Sequence, residues 1–117
     1  MGSVDTQGKA INFTYGTTPV VTANGQATDA VVWAILKPDG GTSEGTMPGI
    51  FYAFDALSMQ ELYDSNMCTG DAIAPATKFS VPTVANGYVY IGGQELQNGV
   101  NNGTGTFYIF GPLTRSC

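Results

Sequence analysis

The feature that most constrains the fold of this chain is an internal repeat that spans most of its length. Three segments recur in the same order and at matching spacing: Thr18–Gly25 with Val81–Gly87, Ala30–Leu36 with Tyr88–Gly92, and Phe51–Asp55 with Phe107–Gly111. Chance could produce one such echo, whereas three in the same order indicate a duplicated structural unit.

Each copy of the repeat has the pattern of β-strands. Short apolar or alternating runs are separated by Gly, Asn, Pro and Asp clusters, and 16 glycines with only 11% charged residues are typical of a turn-rich β protein. Asn24-Gly25 and Asn86-Gly87 are hairpin signals, and Asn98–Gly105 is predicted to be a flexible loop. The predicted strands are Ile11–Tyr15, Pro19–Thr22, Ala30–Leu36, Ile50–Phe54, Gln60–Asp64, Ser80–Ala85, Tyr88–Gly92 and Thr106–Phe110.

Two stretches of the sequence resemble the blade signature of the pyrroloquinoline-quinone (PQQ) repeat β-propellers. Phe51–Tyr63 follows that signature, including Tyr52, Asp55 and Ser58, although Met59 stands where the family has a turn Gly and Tyr63 where it has a docking Trp. Pro82–Gly92 follows the preceding half-blade pattern, with Pro82, Asn86 and Gly87 in place. The stretch from Lys78 to Gly92 is similar to the last blade of bacterial PQQ-repeat-containing proteins.

The resemblance implies an all-β chain of two four-stranded propeller blades. The expected layout is a flexible segment at 1–10, a strand at 11–16, the first blade at 17–67, a connection at 68–79, a three-stranded second blade at 80–112 and a tail at 113–117. Two blades cannot close a ring, and repeat units do not leave their apolar faces unburied. We therefore expect oligomerisation into a ring or an open array by exchange of the N-terminal strand. The expected contacts are Ile11, Phe13 and Tyr15 with Phe107 and Ile109.

Three residues admit a structural and a functional interpretation. Asp55 follows a strand, so its carboxylate is predicted to accept backbone N–H groups in the turn that reaches Ser58 rather than to act in catalysis. Tyr63 is predicted to pack between blades. Trp33 lies in an apolar strand and is either a packing residue or a residue that stacks on a sugar.

Composition excludes several chemistries. The absence of His removes His-based general-base catalysis and His-ligated metal sites. With four cations and a net charge of −5, the chain cannot build the basic patch that a nucleic-acid partner requires. Because the acidic residues are scattered and nothing matches the quinone-binding positions of the family, we predict no catalytic, cofactor-binding or metal-binding residues, and neither PQQ nor calcium as a cofactor.

The two cysteines and the lack of a membrane span bear on location. Cys68 and Cys117 are either two unrelated thiols or a disulfide, and a disulfide would imply an oxidising compartment. No apolar run approaches the length of a membrane helix. We expect an extracellular or periplasmic protein, although the sequence shows no signal peptide.

Three functions from different classes follow from these features. The first is a non-enzymatic assembly module that self-associates through blade edges. The second is an extracellular carbohydrate-binding propeller that uses Trp33 or the tyrosines at blade edges. The third is a fragment of a PQQ-dependent oxidoreductase-like protein.

Overall fold

The computed structural model describes residues 11, 13, 16–38, 47–77, 80–97 and 100–112. These residues form seven strands: β1 (Val20–Thr22), β2 (Val31–Leu36), β3 (Ile50–Asp55), β4 (Glu61–Asp64), β5 (Thr83–Ala85), β6 (Tyr88–Gln97) and β7 (Val100–Phe110). The described helical segments are two short 3-10 turns, Ala27–Asp29 and Thr69–Asp71. The all-β prediction is confirmed.

The strands form two antiparallel sheets in which consecutive strands are neighbours. The first sheet has the order β1-β2-β3-β4 and the second has the order β5-β6-β7. We call the face of each sheet that looks toward the other sheet its inner face, and the opposite face its outer face. Side chains alternate between the two faces along every strand, so each strand contributes to both.

The hairpin between β5 and β6 has the turn that the sequence predicts. Asn86 and Gly87 have φ values of 52° and 79°, and Ala85 pairs with Tyr88 on either side of them. Two consecutive positive φ values define a two-residue turn whose twist matches that of the strands. The β1–β2 connection is longer, because the Ala27–Asp29 turn follows Asn24-Gly25.

The prediction of a flexible loop at Asn98–Gly105 is wrong from Val100 onward, because β7 begins at Val100, while residues 98 and 99 lie outside the described residues. Gly93 pairs with Thr106 and Gln94 with Gly105, so ladder hydrogen bonds satisfy a Gly-rich backbone that has little intrinsic strand propensity. Strand propensity depends on such context more than on the residue itself.

The connection after β4 joins the two sheets at one end. The carbonyl of Ala74 accepts a hydrogen bond from the N–H of Gly49 at 3.2 Å, and the carbonyl of Pro75 accepts one from Gln94 at 2.9 Å. An added Cβ at Gly49 would lie 3.0 Å from the Cβ of Ala76, so the close approach of these backbones favours glycine there. These hydrogen bonds hold the two sheets together at this end.

The predicted N-terminal strand is not part of either sheet at its two described positions. Ile11 and Phe13 lie outside the strands, and Phe13 takes part in turn hydrogen bonds, donating to the Ile11 carbonyl and accepting from the N–H of Gly16. Residues 12, 14 and 15 of the predicted strand, including Tyr15, lie outside the described residues.

Candidate functional site

The core of the protein lies between the inner faces of the two sheets. Its centre is Phe51, which is 1% exposed and stacks on Trp33 with ring centroids 5.6 Å apart. From the second sheet, Phe110 reaches Phe51 at 5.1 Å between ring centroids, and Ile91 and Val89 belong to the same cluster. This aromatic contact links the two sheets.

The two sheets are related position by position. In each sheet, three strands pair in the same register, so the repeat seen in the sequence is also a repeat in the pairing of the strands. On the outer face of the first sheet, Val21, Val32, Ala34, Tyr52 and Phe54 correspond to Val84, Val89, Ile91, Tyr108 and Phe110 on the inner face of the second. On the inner face of the first sheet, Trp33, Ile35, Phe51 and Ala53 correspond to Tyr90, Gly92, Phe107 and Ile109 on the outer face of the second.

The outer face of the second sheet is an exposed apolar surface. Phe107 is 73% exposed, Ile109 is 62% exposed and Tyr88 is 44% exposed. Their equivalents in the first sheet include Phe51, which is 1% exposed because the second sheet covers it. An exposed cluster of large apolar side chains commonly marks an interaction site. We call Tyr88, Phe107 and Ile109 the apolar patch.

The strand that carries most of the apolar patch also ends its sheet. β7 has β6 on one side and is the last strand in the order of the second sheet. A sheet edge presents backbone N–H and C=O groups that can pair with another strand. A shallow groove of about 440 Å³ lies beside Phe107, with Gly92, Val81 and Gly105 among its lining residues. The patch therefore adjoins both a sheet edge and a depression.

The outer face of the first sheet differs from the apolar patch because its centre is covered, although Val21 at its edge is 61% exposed. Ala34, Leu36, Tyr52 and Phe54 are each 9% exposed or less, and Ile11, Phe13 and Met59 pack against them. The ring of Phe13 meets that of Tyr52 edge to face at 6.0 Å. Ile11 and Phe13, predicted as contacts between chains, thus make contacts within the chain. Phe107 and Ile109, also predicted as contacts, lie exposed on the other sheet.

The second feature of interest is a cleft of about 950 Å³ that opens between the sheets. Its lining includes Trp33, Tyr63 and Phe110 with the acidic residues Asp29 and Asp71. Trp33 is only half-buried, and its Nε1 donates to the hydroxyl of Thr22 at 2.7 Å. Aromatic surfaces combined with a few polar groups in a concave site can hold a small molecule.

Tyr63 is fixed at the wall of this cleft. Its hydroxyl donates to a carboxylate oxygen of Asp71 at 2.6 Å, and its ring contacts Phe51 and Phe110. Burial, reinforced by the hydrogen bond to Asp71, raises the pKa of the Tyr63 hydroxyl. Sequence reasoning missed the role of Asp71, because this residue lies outside the repeat motifs and only the tertiary structure brings it to the Tyr63 hydroxyl.

The remaining signature residues serve turns and packing. One carboxylate oxygen of Asp55 accepts the N–H groups of Leu57 at 3.0 Å and Ser58 at 2.7 Å, and the Ser58 hydroxyl at 2.8 Å. Those hydrogen bonds, chiefly from Ser58, lower the pKa of the Asp55 carboxyl. Met59, at the position of the family's turn Gly, has a φ of 56°. Pro82 is fully buried.

Tyr52 belongs to the covered face rather than to the cleft. Its ring stacks on that of Phe54 with centroids 5.5 Å apart. Burial raises the pKa of the Tyr52 hydroxyl, and the carboxylates of Asp64 and Glu61 raise it further. A charged phenolate is disfavoured on this face of the first sheet.

Cys68 is buried and disulfide-bonded. Its predicted partner, Cys117, lies outside the described residues, so the pairing stays a prediction. In the described part of the chain, no group of three or more His, Cys, Asp or Glu side chains could hold a metal ion. Nor does that part contain a helix long and apolar enough to cross a membrane.

Comparisons with protein-family models, with curated proteins and with solved structures found no match to this chain. The resemblance to PQQ-repeat propellers therefore rests on the sequence motifs alone. The sequence prediction also missed Tyr88 as part of the apolar patch. The alternation of Tyr88 and Tyr90 with Val89 and Ile91 was the signal that could have placed it on an outer face.

Proposed function

We propose that this chain is a non-enzymatic assembly module that self-associates through the apolar patch on its second sheet. The observation that carries this proposal is the contrast between Phe51 and Phe107. The two residues hold the same place in the repeat, but one is 1% exposed and the other is 73% exposed. Phe51 is covered by the second sheet, which is built from the other copy of the repeat, together with Ile73 and Ala76 of the connection after β4. A further copy of such a sheet is the partner that would bury Phe107.

In this proposal the two sheets are propeller blades of the PQQ-repeat type. Support comes from the sequential antiparallel order of the strands and from the face-to-face contact between the sheets. The second blade would gain its fourth strand from the N-terminal segment of a neighbouring copy, which would pair with β7. Three or four copies would close a ring, and a rotation that fails to close would produce a filament.

The disulfide at Cys68 supports a location outside the cytoplasm. Disulfides persist in oxidising compartments and are rare where thiols are kept reduced. An extracellular or periplasmic assembly module is consistent with that bond.

The test is the absolute mass in solution, measured by light scattering after size exclusion over a range of protein concentrations. Wild-type protein is expected to form a discrete trimer or tetramer, or large particles if the array stays open. Phe107→Asp is expected to be monomeric, because assembly would bury an unpaired carboxylate. Met67→Asp is the matched control, since Met67 is 53% exposed but lies outside the apolar patch. A wild-type monomer at every concentration would refute the proposal.

The cleft supports a second candidate function, carbohydrate binding. Trp33 and Tyr63 offer aromatic surface to the apolar face of a sugar ring, and Asp29 and Asp71 offer carboxylate oxygens to its hydroxyls. Asp29 is exposed at the mouth of the cleft, so its amide variant is not expected to disturb the fold. The cleft and the apolar patch share Ile109.

A glycan screen tests the second candidate. Binding by wild-type protein should fall in Asp29→Asn and in Trp33→Phe, which keeps an aromatic ring in the core. Asp64→Asn is the matched control, because Asp64 is not among the residues that line the cleft. No bound glycan in the screen, or equal binding by all variants, would count against the cleft as a sugar site.

A further inference from the structure

We propose that the outer face of the first sheet is the docking surface for the apolar patch of another copy, and that Ile11 and Phe13 are a cover that this copy must displace. The inference rests on the proposed self-association and adds to it the surface of the partner and the control of assembly. It makes the contact head to tail, because two different faces of the chain meet.

The first support is that the strands of the two sheets pair in equivalent registers. Within one chain, the inner face of the first sheet binds the inner face of the second. The apolar patch lies on the outer face of the second sheet, which is the repeat equivalent of the inner face of the first sheet. The outer face of the first sheet is the repeat equivalent of the inner face of the second sheet. The contact inside the chain and the proposed contact between chains therefore join equivalent surfaces.

This equivalence predicts one specific contact. Phe51 meets Phe110 at 5.1 Å between ring centroids inside the chain. Phe107 is the equivalent of Phe51, and Phe54 is the equivalent of Phe110. In the assembly, Phe107 of one copy is therefore expected to meet Phe54 of the next. Gly92 stands where the first sheet has Ile35, which leaves room beside Phe107 for an incoming side chain.

The second support is the cover itself. Phe54 is 7% exposed and Tyr52 is 9% exposed, and the described residues that pack on their cluster from outside the strands are Ile11, Phe13 and Met59. Ile11 and Phe13 are themselves only half-buried and lie outside the sheet ladder. Because neither residue belongs to a strand, their side-chain contacts can be exchanged for a larger apolar surface without breaking strand pairing at these two positions.

Displacement of the cover costs free energy and therefore weakens self-association. When only a fraction of the molecules has the docking surface open, the apparent dissociation constant rises by the inverse of that fraction. Removal of contacts made by the cover should increase the open fraction and tighten self-association. Once displaced, Ile11 and Phe13 would then be available to contact the edge of β7 in the neighbouring copy.

The first experiment compares the dissociation constants of three proteins, measured by light scattering across a dilution series. Phe13→Ala is expected to lower the apparent dissociation constant about tenfold relative to wild type. Phe13→Leu, which keeps an apolar cover, is expected to stay near the wild-type value. Adding Phe107→Asp to Phe13→Ala should abolish assembly, which shows that the gain acts through the apolar patch.

The outcomes separate this inference from the proposed function. If neither wild type nor Phe13→Ala assembles, self-association itself fails. If wild type assembles and Phe13→Ala assembles equally or more weakly, the cover is refuted while self-association stands.

A second experiment does not depend on the stability of Phe13→Ala. A photoreactive phenylalanine analogue at position 107 is placed in one isotopically labelled copy and mixed with unlabelled protein. Cross-links to a peptide that contains Phe54 of the unlabelled copy are expected. Cross-links confined to the β7 peptide would indicate a symmetric patch-to-patch dimer and would overturn the inference.

Discussion

Phe51 and Phe107 allow a direct test of how the two sheets are related, because one perturbation can be made at both. Truncation of a buried Phe to Ala removes its transfer free energy and leaves a cavity, which together cost roughly 3–5 kcal/mol. Phe51 is 1% exposed and touches Trp33, Tyr63 and Phe110, so the full cost is expected there. A domain of this length is stable by roughly 6–17 kcal/mol, so the loss is a large share of the total.

The same truncation at Phe107 should have little effect on the monomer. Phe107 is 73% exposed, and surface substitutions usually change stability by no more than about 0.5 kcal/mol. The assay is urea unfolding followed by far-ultraviolet circular dichroism, because Trp33 fluorescence would itself respond to the loss of Phe51. Dilute protein keeps the chain monomeric.

Protein concentration provides the internal control. As concentration rises and copies associate, wild type gains stability by mass action and Phe107→Ala should gain less. If Phe107→Ala costs more than about 2 kcal/mol in dilute protein, or if Phe51→Ala costs less than about 1 kcal/mol, the assignment of buried and exposed faces is wrong.

Three further predictions concern single groups. The raised pKa of Tyr63 means that its neutral form stabilises the fold below the ordinary pKa of about 10, and that this contribution is lost as pH rises. In an alkaline absorbance titration, Tyr63→Phe should lack one phenol that ionises late in wild type. An unchanged late phase would contradict this. The lowered pKa of Asp55 means that its carboxylate stabilises the turn above the ordinary pKa of 3.8, and that acid removes this contribution. Asp55→Asn should therefore melt at a lower temperature than wild type at neutral pH, and the gap in melting temperature should shrink in acid. A gap that does not depend on pH would contradict the role of the charge. Reduction of the disulfide at Cys68 should lower the free energy of unfolding by about 2–4 kcal/mol, measured by urea unfolding with and without a thiol reductant; superimposable curves would show that the bond adds no stability.

Local patterns in the sequence predict much of the secondary structure. The Asn86-Gly87 turn and the alternating run after it specify a hairpin, because positive φ values suit Asn and Gly and alternation suits a strand with two different faces. The Asp55–Ser58 turn is equally local, since a carboxylate reaches N–H groups only a few residues away.

Elements whose stability comes from distant partners were predicted less well. Val100–Gly105 is a strand because β6 supplies its hydrogen bonds, although its composition is that of a loop. Ile11 has the pattern of a strand residue but packs on the first sheet as a cover, because the apolar outer face there is a competing partner for its side chain.

By itself, the sequence determined that the chain is a duplicated all-β protein, because turn chemistry and apolar alternation are encoded over a few residues. The tertiary structure alone decided which of two equivalent phenylalanines is buried. Phe51 and Phe107 are each followed by Tyr and, three residues on, by Phe, so the apolar pattern of the strand does not tell which of them is buried. Their difference in exposure arises because one sheet has the other packed against it, and burial is a property of the surface that a residue faces.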